Sequence, residues 1–232
     1  GAGFDSIVGV EGEVVLIGQG GSDSISGGAG RDEIFANIGV DTLDGGAGND
    51  LMYGQAGADS LDGGTGRDQM FGNLGADTLN GGADDDRLFG QAGPDQLSGD
   101  GGADQLFGSG GNDSMIGGTE DDTLDGGNGR DTLDGGVGDD LLPGGFNGDT
   151  FVFADGHGED EITDFNATSG GVEFIDLTAI SFAPSINSYT DLLASGAVTA
   201  VTGGVEIDIG GGNSILLNGV ALGDLDNDDF LF

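Results

Sequence analysis

Aspartate stands at every ninth position from Asp23 to Asp149, fifteen times in succession, and so regular a column of carboxylates suits one chemistry above others, the holding of cations. The residues are Asp23, Asp32, Asp41, Asp50, Asp59, Asp68, Asp77, Asp86, Asp95, Asp104, Asp113, Asp122, Asp131, Asp140 and Asp149. Asp5 falls on the same grid, whereas Val14 occupies the position between and predicts a lost site. Carboxylates stacked one strand spacing apart repel strongly unless a cation lies between them. The donors on offer are carboxylates and turn carbonyls, with no cysteine in the chain and a single histidine. An all-oxygen set of this kind favours Ca²⁺ over Zn²⁺ or copper, with Mg²⁺ second because it demands a tighter octahedron.

The elements that must position these carboxylates are legible in the rest of the repeat. Gly45 to Tyr53 is a clean copy of the nine-residue unit G-G-x-G-x-D-x-U-x, in which U is large and apolar and Asp is the sixth slot. Slot eight is Ile, Leu, Met or Phe from Ile25 to Phe151. Self-similarity at a fixed period is the mark of a solenoid. A second period of eighteen lies over the first. Slot nine alternates between Phe35, Tyr53, Phe71, Phe89, Phe107 and the polar set Ser26, Asp44, Asp62, Asn80, Ser98. Two units therefore make one turn, and the fold expected is all-β, a parallel β-roll of two facing sheets. The x-U-x triplet is read as a short strand with slot eight inward, and the first six slots as the turn, where glycine supplies positive φ.

The aromatic column has two readings, a stacking ladder covered by its own neighbours or a docking face for another domain or another copy. The solitary His157 reads as a surface-loop residue more readily than as a metal ligand. Asp224 to Asp229 resembles the start of an EF-hand loop, but lacks the required glycine and the distal glutamate.

Composition narrows the function further. Forty-three acidic residues against four arginines and no lysine give a formal charge of −39, which opposes nucleic acid and anionic membrane as partners. No apolar run is long enough for membrane insertion as a helix. Motifs for serine, cysteine, metalloprotease or phosphate-loop chemistry are missing, so the residues predict no enzyme. With nine Asp turns in one series and seven in the other, the rows enclose eight and six gaps. One ion per gap gives about 14 Ca²⁺, roughly 28 positive charges, against a net −25 from 29 acids and four arginines in residues 1–152. Near-cancellation predicts that binding and folding are one event.

After residue 152 the grammar changes, and two domains are expected: a roll over 1–152 and a β-rich cap over 153–232. Asp160–Phe165, Glu173–Leu177, Ser214–Leu217 and Asp229–Phe232 read as strands, Val198–Val201 with Val205–Ile209 as a hairpin, and Ser188–Ser195 as a helix capped by Ser188 and Gly196. The chain opens one residue inside a repeat unit and without Met, and reads as part of something longer.

These repeats resemble the calcium-binding repeats-in-toxin (RTX) proteins over about two-thirds of the chain; the nonapeptide is itself a signature of that class. The resemblance implies that the slot-six Asp residues and turn carbonyls, here those of Gly28, Gly30, Gly46, Gly48, Gly64, Gly66, Gly127 and Gly129, bind Ca²⁺ between consecutive turns of one side. The stretch from Asp149 through Ile162–Phe165 and Ile175–Leu177 to Phe232 is similar to family C-terminal regions carrying an uncleaved type I secretion signal. That implies export across both membranes of a Gram-negative cell, with folding delayed until the chain meets external calcium. Three settings remain open: a secreted folding module, a subunit of an adhesin, surface layer or fibre that self-associates, and the tail of a secreted enzyme with an upstream catalytic domain.

Overall fold

The computed structural model describes residues 3–167, 173–181 and 186–232. It is a parallel β-roll of two facing sheets, as the eighteen-residue alternation predicts. Among the described residues one sheet has eleven strands, beginning with Ser6–Val8, Ser24–Ala29 and Thr42–Ala47 and running to Thr150–Ala154, Phe174–Ala179 and Phe230–Leu231. The other has eight, from Val15–Gly20 and Glu33–Ile38 to Thr123–Asn128 and Gly145–Phe146. Neighbouring strands within the repeats pair in parallel with partners eighteen residues apart, Leu43 with Leu61 and Phe71 with Phe89.

Each strand is longer than the triplet expected from the sequence. Ser24–Ala29 is typical: six residues covering slots seven, eight, nine, one, two and three, with only slots four to six left for the turn. The reason lies in slot two, which adopts positive φ without breaking the ladder. Glycine fills it in the eleven-stranded sheet except at Asp100, Gly46 at φ 97° and Asp100 at 69°, while in the other Gln55 at 76° and Asn73 at 75° fill it, giving way to Ser109, Gly127 and Gly145 further along. Amide side chains tolerate this region at about 1 kcal/mol or more each. Asn73 offsets part of that cost by donating from Nδ2 to the Phe71 carbonyl at 3.1 Å.

Slot eight points inward, as expected. Every residue of that column from Ile25 to Phe151 is buried at 2 % exposure or less. Slot one also faces inward, and there the turn carboxylate and the next strand of the same sheet leave little room, so that Ala36 carries the one side chain between Gly18 and Gly144. A Cβ on Gly45 would lie 2.7 Å from both the Asp50 Oδ2 and the Gly63 carbonyl oxygen. The core is thus one large apolar side chain thick, each contributing about 1.5–3 kcal/mol.

On the outer face of the eight-stranded sheet, Phe35, Tyr53, Phe71, Phe89 and Phe107 stack with centroids 4.8–5.0 Å apart and planes within 7°. Each ring covers its neighbour's face and leaves its edge to solvent. The Arg87 guanidinium lies 5.3 Å from the Phe89 ring centre.

Beyond the repeats, the helix Tyr189–Ser195 is capped as expected: Ser188 Oγ accepts from the Asp191 N–H, and Gly196 sits at φ 84°. Val198–Val201 and Gly204–Gly210 form the hairpin, and Asn213–Asn218 and Glu159–Ile162 complete a four-stranded sheet. Asp226 and Asp229 are used in a reciprocal cap on the short helical turn Asn227–Asp229. Among the described residues no helix is long and apolar enough to cross a membrane.

Candidate metal centre

The turns that carry the aspartates repeat one geometry. The backbone N–H of Asp41 donates to Oδ1 of Asp59 at 2.8 Å, that of Asp59 to Asp77, and so along the row. The other series does the same, Asp50 to Asp68 and Asp68 to Asp86, both at 2.7 Å. Asp5 and Val14 join through their N–H groups, to Asp23 and Asp32. Oδ1 is therefore spoken for at every step. Oδ2 is not: from Asp23 to Asp149, all fifteen slot-six Oδ2 atoms are buried without a hydrogen-bond partner. A buried polar atom left unsatisfied costs about 1–3 kcal/mol, more when charged. Fifteen such atoms in register require an explanation.

Their electrostatics point the same way. Burial pushes Asp86 and Asp122 up to about 8, the N–H of the preceding turn works against it, and neighbouring carboxylates add to it. The same causes lift Asp68, Asp95, Asp131 and Asp140 to about 7, and Asp59 and Asp104 to about 6. A carboxylate column in this setting is poised either to take protons or to take a cation.

Carbonyl oxygens converge on the same turns. A Cβ on Gly57, at φ 156°, would stand 1.4 Å from the Gly39 carbonyl oxygen and 2.9 Å from Asp59 Oδ1. The turn carbonyls thus point along the roll axis toward the next turn of their own series, and glycine keeps that space free. Six of the eight glycines expected to offer carbonyls, Gly28, Gly30, Gly46, Gly48, Gly64 and Gly127, share this geometry: Gly28 directs its oxygen at Gly46, and Gly30 at Gly48; after Gly66 and Gly129 the same position is held by Asp84 and Asn147. Among the described residues no three side chains of the His, Cys, Asp or Glu type converge on a point. A cation held here would therefore draw on single carboxylates together with backbone carbonyls, an all-oxygen set suited to Ca²⁺. The orphaned Oδ2 atoms and the glycine-lined cradles fit that ion.

Gly57→Ala tests the cradle. We expect a loss of about 3 kcal/mol or more in saturating calcium, against near-neutrality, within about 0.5 kcal/mol, for Gly101→Ala. At Gly101 an added Cβ meets nothing closer than 3.5 Å. Denaturant midpoints compare the two.

Two acidic residues that the nine-residue arithmetic passes over also occupy slot-six positions. The N–H of Asp140 donates to Asp160 Oδ1 at 3.0 Å, and Glu161 donates to the Asp140 carbonyl, so Asp160 extends one series with a spacing of twenty. In the other series the Phe174 N–H donates to the Asp149 carbonyl, which sets Glu173 in the next slot six. Glu173 is buried and its Oε2 accepts from the Asn166 N–H at 2.6 Å; burial first, then Asp149, Asp164 and Asp229, push it up to about 7 against that hydrogen bond. His157, expected on a surface loop, is only 2 % exposed, because it folds back against Asp160.

A two-sheet parallel roll with carboxylates at every turn defines a class, the calcium-binding β-rolls built from nonapeptides. The RTX calcium-binding nonapeptide repeat pattern matches residues 1–34, 35–70, 71–106, 80–115 and 107–142, and the chain belongs to that family. No curated protein matches the sequence. Among solved structures the chain is similar to the extracellular lipase LipA from Serratia marcescens, at 20% identity and a TM-score of 0.38, over 95% of this chain. It spans 40% of the length of that lipase chain.

Proposed function

We propose that this calcium-binding β-roll is a folding switch for a secreted protein, with one Ca²⁺ held at each step of the Asp ladder. Asp5, Asp23 and the members of both series through Asp140 and Asp149 supply carboxylates, and the slot-two and slot-four carbonyls complete the shell, for about 14 ions. Calcium bound there supplies charge neutralisation between turns; the chain supplies the cradle and the register. Residues 153–232 act as a cap on the roll, and in this reading also carry a type I secretion signal, so that the polypeptide leaves the cell unfolded and folds in external calcium. Catalysis belongs, on this view, to other parts of a larger extracellular protein.

The observation that carries the proposal is the row of buried Oδ2 atoms without donors. Asp77→Asn should lower the number of bound ions by one or two, since Asp77 borders the steps to Asp59 and Asp95. Calcium counted by equilibrium dialysis decides it, and an unchanged count would remove the carboxylates from the ligand set.

A structural role, as a subunit of an adhesin, surface layer or fibre, is favoured by one feature, the stacked column of Phe35, Tyr53, Phe71, Phe89 and Phe107 on the outer face of the eight-stranded sheet. Sedimentation in calcium separates the readings: concentration-dependent assembly supports the fibre, and a monomer at all concentrations opposes it.

A further inference from the structure

The turn that contains Asp160 is a repeat unit in disguise. His157, Gly158, Glu159, Asp160, Glu161 and Ile162 occupy slots three to eight. Gly138 donates to the His157 carbonyl at 3.1 Å, as slot-four glycines do throughout the roll. A Cβ on Gly158, at φ 99°, would lie 2.0 Å from the Gly138 carbonyl oxygen, the same crowding found in the turns before it. Ile162 is fully buried in the slot-eight column.

One atom breaks the pattern. In the fifteen preceding turns the slot-six Oδ2 has no partner, whereas Asp160 Oδ2 lies 2.5 Å from Nδ1 of His157. Slot three elsewhere points out to solvent, Ile38 at 69 % exposure and Phe146 at 73 %. His157 instead turns inward against the Phe153 ring, with centroids 5.1 Å apart, and reaches the carboxylate three residues on. A buried carboxylate that accepts a charge-assisted hydrogen bond on one oxygen and a backbone N–H on the other has its needs met without a metal.

We infer that His157 occupies the position a cation would take at the last turn of this series, so that Asp160 closes the ladder with an imidazole and binds no calcium of its own. The inference rests on the calcium reading of the other turns. It makes the roll's end different in kind from its body: the turns up to Asp140 depend on an external ion, while the one that joins the four-stranded sheet carries its ligand in the chain.

The test uses the full chain in saturating calcium. Asp160→Asn should bind as many ions as the unaltered protein, while Asp122→Asn in the same series binds fewer. Loss of an ion in Asp160→Asn overturns the inference; failure of Asp122→Asn to lose any refutes the calcium ladder instead. A second arm does not depend on counting. His157→Ala should speed hydrogen exchange of the amides of residues 157–162 about tenfold or more, for loss of a bond to a buried charge. Asp160→Asn in that background should recover most of the protection, because it removes the charge that needed a partner. If the double variant exchanges as fast as His157→Ala, the imidazole is only packing against Phe153, and the inference is wrong.

Discussion

Excess chelator at pH 7.5 is expected to abolish the β signal of the roll and expand the chain toward a radius of gyration of about 50 Å, the value for an unfolded chain of this length. Neighbouring slot-six carboxylates repel by roughly 3 kcal/mol per step at one strand spacing and an effective dielectric near 20. The ladder has eight steps in one series and six in the other. Their sum exceeds the roughly 5–15 kcal/mol of net stability a domain has to spare. The core cannot absorb it, being built from one slot-eight side chain per unit, Ile25 to Phe151. Calcium added back should restore the circular dichroism cooperatively, because each turn templates the next. A β spectrum that persists in chelator at neutral pH would defeat the account.

Protons should do part of calcium's work. In chelator, acidification from pH 8 to pH 5 is expected to raise β content, the reverse of ordinary acid denaturation. The sign follows from burial, which raises the folded-state pKa of Asp59 and Asp104 to about 6 and of Asp86 and Asp122 to about 8. In the unfolded chain an aspartate titrates near 3.9. Between those values the folded roll binds more protons than the unfolded chain, so stability falls as pH rises. The contribution is whole below the unfolded value and is lost as pH climbs through 6 to 8. With calcium bound the dependence inverts, since the metal needs ionised carboxylates and is displaced by protons. Far-UV circular dichroism in chelator across this range checks the first half; a chain that stays unfolded at pH 4–5 contradicts it. Calcium affinity measured at pH 5 and pH 7.5 checks the second.

The sequence disclosed the architecture because its two periods are physical spacings. Nine residues is one wall of the roll and eighteen is one turn, so the register that pairs Leu43 with Leu61 is arithmetic. The slot-eight core followed from strand alternation. Strand length was hidden because glycine, asparagine and glutamine at slot two look like turn residues, and they do take turn dihedrals, yet within a continuous ladder. The inward face of slot one was equally hidden, since a glycine has no side chain to betray where it points. Asp160 and Glu173 escaped because spacings of twenty and twenty-four interrupt the count, although the order of residue types from His157 to Ile162 still matches slots three to eight. His157 could be judged only in place: no local rule says that a slot-three side chain will fold back on its own turn.

The fixed eighteen-residue register has a consequence for how such a molecule changes length over generations. Excision or duplication of eighteen residues would leave every column continuous: aromatic on aromatic, hydroxyl and carboxylate on their own kind. Nine residues would not. Removing residues 54–62, for instance, would carry Phe71 into the column of Asp44 and send polar groups into the aromatic stack. The roll is thus a rod whose natural increment is a pair of units, and indels of an odd number of units are the ones selection should purge.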